Sequence, residues 1–346
     1  MIKLGNRTIG DGNPIFIMAD VGVTNGGDFE RSMKLIQLAA DSGADAIKFQ
    51  YIGRDSLLSD RTTEASYNCS DGRVVTKTLY ELFEPFDFSE AQWAELVKYS
   101  HELGVEFICT AHVLEAVPIL ERAGVKIHKI CAWSSDHKRL IQALGRTGKP
   151  LMLDTGNYTN TSLSKTLDWH SESGGRGAVL LHDFHTSDPS EMNFKAISYM
   201  KRAFGYPVGY TPQETDDRLD FMSIGLGANV LERRLTVDRT IEALGHAKAY
   251  EFDEFKNWVS NVRRAESALG FESVLPPKEN LKARQSYFKS LFINTDLKAG
   301  AVIDDSMLDA RRPGDGIWAG RVDKMIGKKL NKNVMKGHKL SLDDLN

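Results

Sequence analysis

Eight short apolar segments alternate with longer amphipathic ones along about the first 270 residues, and this alternation constrains the fold more than any other feature. The segments, which we predict to be β-strands, are IFIMAD (15–20), DAIKFQ (45–50), VEFICT (105–110), KIHKICA (126–132), PLMLDTG (150–156), GAVLLHD (177–183), PVGYT (207–211) and ANVLERRLT (228–236). Parallel strands in one sheet need helical crossovers, so this alternation indicates consecutive βαβ units. Eight such units predict an α/β fold of the (β/α)8, or TIM-barrel, type over residues 1–270.

An open, doubly wound sheet is the alternative, because hydrophobic periodicity does not reveal the order of the strands. The first predicted strand is not followed by a GxGxxG turn, so the dinucleotide-binding form of the open sheet has little support. One long connection, residues 51–88, separates the second and third predicted strands. Connections of this length are unusual unless they carry function, so we expect a functional loop there.

The end of the chain has a different pattern. Residues 271–285 contain the run VLPPKENLKARQ, whose two prolines and charged residues predict a linker. Residues 286–346 contain short alternating segments, SLFINTDL and AVIDDSML, separated by glycine-containing turns. We therefore predict a second, small β-rich domain over residues 286–346.

Composition narrows the range of partners. The formal net charge is −3 with acidic and basic residues interspersed, which does not indicate a surface for nucleic acid or an anionic membrane. The apolar runs are shorter than the ~18 residues that a membrane-spanning helix needs. With three cysteines and no apparent signal peptide, the chain is expected to be cytoplasmic, to lack a disulfide framework and to act on small molecules.

Two lysines interrupt apolar strand segments, Lys48 in DAIKFQ and Lys129 in KIHKICA. A lysine inside a strand is unfavourable unless it faces an anion, and the loops at the carboxyl ends of barrel strands converge on the site. The pair therefore favours a phosphate or carboxylate ligand. Alternatively, one lysine reaches solvent or pairs with a structural carboxylate, or one forms a Schiff base in a barrel lyase or aldolase.

Several motifs in a fixed order carry a family resemblance. They are ADVGVTNGGD, DAIKFQ, FICTA, HKI, DTG, LLH, LGANVLERRLT, RPGDGI and IGKKL. Their order over nearly the whole chain resembles the sialic acid synthase family, in which a TIM barrel is followed by an antifreeze-like (SAF) domain. The resemblance implies condensation of phosphoenolpyruvate (PEP) with an aldose, an N-acylhexosamine or a related sugar, to a 3-deoxy-ulosonic acid with release of phosphate.

The resemblance also implies roles for individual residues. The implied PEP-binding residues are Lys48, Thr110, Lys129, Thr155 and Gly156, and the implied catalytic residues are Asp20, Glu232 and Arg234. The implied sugar-binding residues are Gln50, Asn25, His246 and Arg312, the last acting from the partner subunit of a domain-swapped homodimer.

The chain departs from the family where a metal would bind. Of two metal-binding histidines in the family, one is replaced within TPQET by Gln213 or Glu214, and the other by Arg234. One reading is a rearranged site for manganese or magnesium, with candidate ligands Glu214, Asp183, Glu232 and His182. A second is that Arg234 polarises the acceptor aldehyde. A third is loss of catalysis, leaving a binding or scaffold protein in surface-glycan biosynthesis. Asp154, which would repel a phosphate, adds weight to this third reading.

Overall fold

The computed structural model describes residues 1–186, 188–270 and 272–346. The chain divides into two compact units, Met1–Gly270 and Phe271–Asn346. In the first unit the strands are, in chain order, β1 Ile2–Leu4, β2 Arg7–Ile9, β3 Phe16–Asp20, β4 Ala46–Tyr51, β5 Glu64–Asn68, β6 Val74–Thr78, β7 Glu106–Ala111, β8 His128–Ile130, β9 Leu151–Asp154, β10 Ala178–His182, β11 Val208–Tyr210 and β12 Val230–Arg234.

The α-helices of the first unit follow the strands. They are α1 Phe29–Asp41, α2 Arg54–Leu57, α3 Leu79–Phe83, α4 Glu90–Glu102, α5 Ala116–Ala123, α6 Lys138–Arg146, α7 Asn160–Glu172, α8 Lys195–Phe204, α9 Arg218–Gly225 and α10 Phe252–Leu269. Their boundaries follow local chemistry. At the start of α4, for example, Ser89 and Gln92 form a capping box, and Gly104 with φ of +74° follows the helix.

Eight strands close into a parallel barrel in the order β3, β4, β7, β8, β9, β10, β11 and β12, with β12 pairing back to β3. Each predicted strand segment overlaps one of these strands, so the (β/α)8 prediction is confirmed. The sequence pattern did not predict the antiparallel hairpin β1–β2, which precedes the barrel.

Alternation along the strands separates the barrel interior from the layer beneath the helices. The interior cluster contains buried apolar residues of the barrel strands and of the first hairpin: Ile2, Leu4, Ile9, Phe16, Met18, Ala46, Ile108, Ile127, Met152, Val179, Leu181 and Val230. The positions two residues further along the strands project into the same interior at its carboxyl end. They hold buried polar residues, namely Asp20, Lys48, Thr110, Lys129, Asp154, Asp183 and Glu232.

The long connection after β4 is structured. It contains α2, the antiparallel hairpin β5–β6 and α3. The hydroxyl of Tyr67 on β5 donates to the carbonyl of Glu242, 3.1 Å away, in the loop that follows β12. The hairpin thus reaches the loops at the carboxyl end of the barrel.

The second unit contains helix α11, Lys278–Tyr287, and an antiparallel pair, β13 Ser290–Ile293 and β14 Leu308–Arg311. Its core is a separate apolar cluster that includes Leu291, Ile303 and Leu340. The prediction of a linker over 271–285 differs from the structure, because α11 occupies most of that range. The prolines that suggested a linker lie just before the helix, where a missing amide N–H has no effect on its hydrogen bonds.

In the part of the chain that the structure describes, no helix has the length and apolar character needed to cross a membrane.

Candidate active site

The strand register brings the predicted residues together at the carboxyl end of the barrel. Asp20 on β3 is the register partner of Lys48 on β4 and of Arg234 on β12. Thr110 on β7 is paired in the same way with Lys129 on β8. Because register partners on neighbouring strands face the same side of the sheet, these side chains all point toward the interior at the carboxyl end of the barrel.

Glu232 links the two lysines. Its Oε1 lies 3.1 Å from Nζ of Lys48, and its Oε2 lies 2.5 Å from Nζ of Lys129. Lys48 also contacts Oδ1 of Asp20 at 2.6 Å, and Lys129 contacts Oδ1 of Asp154 at 3.1 Å. All five side chains are buried, so they form one network of two ammonium and three carboxyl groups.

The network keeps both lysines charged. Burial by itself would lower the pKa of Lys48, but the charges of Asp20 and Glu232 outweigh it and raise that pKa. Burial by itself would also lower the pKa of Lys129, but the charges of Asp154 and Glu232 outweigh it and raise that pKa well above the ordinary range. For Asp20, Lys48 and Arg234 overcome the effect of burial and hold the pKa below its usual value.

Asp154 behaves differently from its neighbours. Burial raises the pKa of Asp154 well above its ordinary range, and Lys129 does not offset that effect. A neutral carboxyl group can donate a hydrogen bond as well as accept one. A protonated Asp154 would leave two ammonium groups facing two carboxylates, and its O–H would suit an anion that an ionised Asp154 would repel.

A second polar group lies at the ends of β10 and β11. Oδ1 of Asp183 accepts a hydrogen bond of 2.6 Å from Nε2 of Gln213, and Oδ2 lies 3.2 Å from Nε2 of His185. Burial would raise the pKa of Asp183, but its hydrogen bond with His185 and the imidazole charge help to lower it.

Arg234 is the cation of the site that is most open to solvent. Its Nε lies 3.6 Å from Oδ2 of Asp20, and 26% of its side chain is exposed. The neighbouring Arg233 points to the opposite face of β12, where its guanidinium binds the buried Asp220. Alternation along β12 thus assigns one arginine to the barrel mouth and the other to the layer beneath the helices.

Three further predicted residues lie at the same end of the barrel. Oε1 of Gln50 is 3.1 Å from Nε2 of His112, and the Thr155 hydroxyl donates to the carbonyl of Leu181 at 2.9 Å. At Gly156 a Cβ atom would lie 2.0 Å from the carbonyl oxygen of Asp183. Only glycine therefore fits between the β9 and β10 loops at this position.

Other predicted residues are engaged elsewhere. The Asn25 amide donates to the carbonyl of Val21 at 2.7 Å, so this side chain stabilises the turn after β3. His182 follows the inward-facing Leu181 and therefore points outward, with Nε2 2.8 Å from the carbonyl of Met192. Both side chains are thus engaged with backbone carbonyl groups, and their roles in the site stay predictions.

The remaining two predicted sugar-binding residues have local hydrogen-bond partners. His246 is buried in the loop after β12, where Nδ1 is 2.8 Å from the Thr236 hydroxyl. Arg312 belongs to the second unit, where its Nε donates to the carbonyl of Tyr287 at 2.9 Å. Its action from a partner subunit stays a prediction.

The metal candidates do not converge on one point. His182 faces outward, both oxygens of Asp183 have partners, and Glu232 is held between the two lysines. Glu214 is half-buried in the loop after β11. Among the described residues, no group of three or more His, Cys, Asp and Glu side chains is arranged to hold a metal ion. This donor set does not fit the manganese or magnesium site suggested by the resemblance.

Sequence reasoning named Asp183 only as a candidate metal ligand and Gln213 only as a replacement for a metal-binding histidine. It did not predict the hydrogen bond between these two side chains or the contact of Asp183 with His185. The usable signal is the alternation itself, because Asp183 lies two residues beyond the inward-facing Leu181. By the same rule, Asp154 is predicted to face the barrel interior, because it lies two residues beyond the inward-facing Met152.

The fold and the site together define a class: a TIM-barrel protein with a buried lysine–carboxylate network at its carboxyl-terminal mouth, followed by a small β-rich unit. Residues 35–273 match the NeuB family, and residues 288–346 match the SAF domain. The chain therefore belongs to the NeuB family, and the resemblance to sialic acid synthases is confirmed.

The chain is similar to several named synthases along most of its length. It is 28% identical to N,N'-diacetyllegionaminic acid synthase of Legionella pneumophila, covering 96% of this chain and 95% of that protein. It is 27% identical to pseudaminic acid synthase of Campylobacter jejuni, covering 95% and 96%. It is 25% identical to human N-acetylneuraminate-9-phosphate synthase, covering 94% and 90%. Family membership thus supports a sialic-acid-like synthase.

A solved structure agrees with this placement. The N-acetylneuraminic acid synthetase of Leptospira borgpetersenii, crystallised in complex with citrate, superposes with a TM-score of 0.72 at 25% identity. The match covers 83% of this chain and 96% of that chain.

Proposed function

We propose that this protein condenses phosphoenolpyruvate with an aldose to give a 3-deoxy-2-ulosonic acid and inorganic phosphate. The observation that carries the proposal is the pair of buried lysines, Lys48 and Lys129, bridged by Glu232 at the barrel mouth. Each ammonium group has three N–H donors and contacts two carboxyl groups. At least one donor on each lysine is therefore left for the carboxylate or phosphate of the co-substrate.

Asp154 completes this anion site in the proposal. Its raised pKa favours the protonated form, which donates a hydrogen bond to the anion and does not repel it. Thr110, the register partner of Lys129, adds a hydroxyl on the same inward-facing side. The lysines and these two groups hold PEP with its C3 directed toward the acceptor aldehyde.

Arg234 supplies the charge that polarises the aldehyde. It lines a cavity of about 230 Å³ together with Ser66, Tyr67 and Asn68 of the β5–β6 hairpin. We assign this cavity to the acceptor sugar. A guanidinium there stabilises the negative charge that develops on the aldehyde oxygen as C3 attacks, which is a role that does not need a metal.

Phosphate release from PEP tests the proposal. Wild-type protein is incubated with PEP and a panel of N-acylhexosamines and neutral aldoses, with and without chelator, and PEP binding is measured by calorimetry. We expect release with at least one aldose, undiminished by chelator, and loss of release in Arg234→Ala. Absence of both PEP binding and phosphate release would contradict the proposal.

A lysine variant with a matched control sharpens the test. Lys129→Met removes one ammonium group of the network and should abolish PEP binding. Lys126 precedes it on the same segment and pairs with Glu106, at the amino end of β7, so Lys126→Met should bind PEP as wild type does. Thermal unfolding of both variants shows whether they remain folded. Equal PEP binding by the two variants would refute the role of Lys129.

A second candidate function is binding without catalysis. The observation that favours it is that both lysines already contact carboxyl groups, and the mouth also holds Asp183. This candidate predicts PEP or sugar binding by calorimetry with no phosphate release for any aldose in the panel.

A further inference from the structure

His185 occupies a position over three neighbouring strands at the barrel mouth. It follows β10, its ring lies 4.7 Å from that of Trp133 after β8, and its Cδ2 would be 3.4 Å from a Cβ atom at Gly156 after β9. About 31% of its side chain is exposed. The imidazole is therefore at the surface that a bound substrate would face, close to the glycine turn assigned to PEP.

Asp183 orients this imidazole directly, and Gln213 acts on it through Asp183. Nε2 of His185 lies 3.2 Å from Oδ2 of Asp183, and Gln213 holds the other oxygen of that carboxylate at 2.6 Å. Asp183 is buried, so its position is determined by the β10 backbone and by Gln213. An imidazole that donates its Nε2–H to a carboxylate has its lone pair on Nδ1. This arrangement of a base held by a carboxylate is the one that activates a hydroxyl or a water.

Other groups around the mouth are less suited to accept a proton. Lys48 and Lys129 are held as ammonium ions by their carboxylates. His112 has Nε2 3.1 Å from Gln50 and Nδ1 3.7 Å from the sulfur of Cys131, so both its nitrogens have neighbours. Of the histidines described near the mouth, His185 combines an exposed ring with a carboxylate partner on one nitrogen only.

We propose that His185 is the general base that accepts a proton from the water attacking C2 of phosphoenolpyruvate, with Asp183 and Gln213 as positioning residues. The inference rests on the function proposed above. It deepens that function by naming the residue that activates water, which neither the buried lysines nor Arg234 can do.

The step balances without a further reactant. The oxygen of water bonds to C2, the π electrons of the C2–C3 double bond form the new bond from C3 to the aldehyde carbon, and the aldehyde π pair becomes an alkoxide. The proton of the water goes to Nδ1 of His185 and is returned to the alkoxide, giving a hydroxyl group. The tetrahedral C2 then loses phosphate as the bond between C2 and the bridging phosphate oxygen breaks. The remaining proton of the former water leaves with the phosphate, and C2 becomes a ketone.

Chemical rescue provides the test, because an exposed site admits a small base. In His185→Ala we expect kcat for phosphate release to fall about 100-fold or more, with KM for PEP within about threefold of wild type. Added imidazole should raise the kcat of this variant at least about tenfold, and the gain should level off as the imidazole concentration increases. Asp183→Asn, which loses the orienting charge, should show a smaller fall in kcat.

His101 provides a matched control. It has the same 31% exposure and a carboxylate partner, Glu106, at 3.6 Å, but it lies at the end of α4, facing the amino end of β7. His101→Ala should have wild-type kcat and should not respond to imidazole. Equal thermal unfolding temperatures for the two alanine variants would show that both remain folded.

Each other outcome overturns the assignment. If wild type releases phosphate and His185→Ala keeps its kcat within about twofold, the inference fails while the proposed synthase function stands. A large rise in KM for PEP without rescue by imidazole would make His185 an anion-binding group and would also refute the inference. No release by wild type with any aldose would remove the proposed function, and the general-base role with it.

Discussion

Replacing Glu232 with glutamine should destabilise the barrel far more than a surface substitution of the same kind. Glu232 is buried and contacts the ammonium groups of both Lys48 and Lys129. Glutamine keeps the shape of the side chain but removes its charge. Breaking a buried ion pair by removing one partner costs about 3–5 kcal/mol, because the other charge stays buried without compensation.

The remaining carboxyl groups place the effect near the lower end of that range. Asp20 still contacts Lys48, and Asp154, whose pKa is raised, can ionise beside Lys129 once the charge of Glu232 is gone. We therefore expect a loss of about 3 kcal/mol in the free energy of unfolding. At about 2–4 °C per kcal/mol, the unfolding temperature should fall by roughly 6–12 °C.

Urea denaturation followed by circular dichroism measures this loss. The matched control is Glu90→Gln, which removes an exposed glutamate paired with Arg122 and should cost about 0–1 kcal/mol. The double variant Glu232→Gln with Lys129→Met should recover part of the loss, because it also removes one uncompensated cation. A loss below about 1 kcal/mol for Glu232→Gln, equal to that of Glu90→Gln, would refute the reasoning.

Two further predictions concern stability. Gly156→Ala should lower the free energy of unfolding by about 1–3 kcal/mol, because the new Cβ would overlap the carbonyl of Asp183. The control Gly225→Ala should be nearly neutral, because a Cβ there meets no atom within 4 Å. Equal urea midpoints for the two variants would contradict this prediction. Burial lowers the pKa of three histidines from 6.5 to about 4, namely His112, His170 and His246. The unfolded chain therefore binds protons below about pH 6.5 that the folded protein binds only near pH 4, so stability should fall as the pH decreases through this window, by up to about 1.4 kcal/mol per pH unit for each histidine. Urea titrations at several pH values check this, and His170→Gln should remove one histidine's share of the slope; an unchanged slope would contradict the assignment.

Much of the fold could be predicted from the sequence because it depends on local periodicity. Apolar segments that alternate with amphipathic ones predicted each barrel strand. The prolines before α11 were misleading, since a proline just outside a helix and a proline in a linker look the same in sequence. A short hairpin such as β1–β2 also leaves too little pattern to be recognised.

The candidate site was only partly predictable. Lys48 and Lys129 could be predicted because charged residues interrupt apolar strands. Their carboxylate partners could not, because they are separated from the lysines by up to 184 positions of chain, as for Lys48 and Glu232. Side-chain pairing over such separations depends on the strand register, which sequence periodicity does not specify. For this reason the members of the network could be predicted only as isolated candidates.

The sequence alone determined that the chain forms eight βα units and places lysines, carboxylates and Arg234 at strand ends, because those properties follow from residue order along each strand. Only the tertiary structure decided which of these residues meet. Closure of the barrel brings β12 beside β3, which puts Glu232 between two lysines that share no strand with it. Alternation along β10 puts Asp183 and His182 on opposite faces, and closure makes one face the polar mouth and the other the layer beneath the helices.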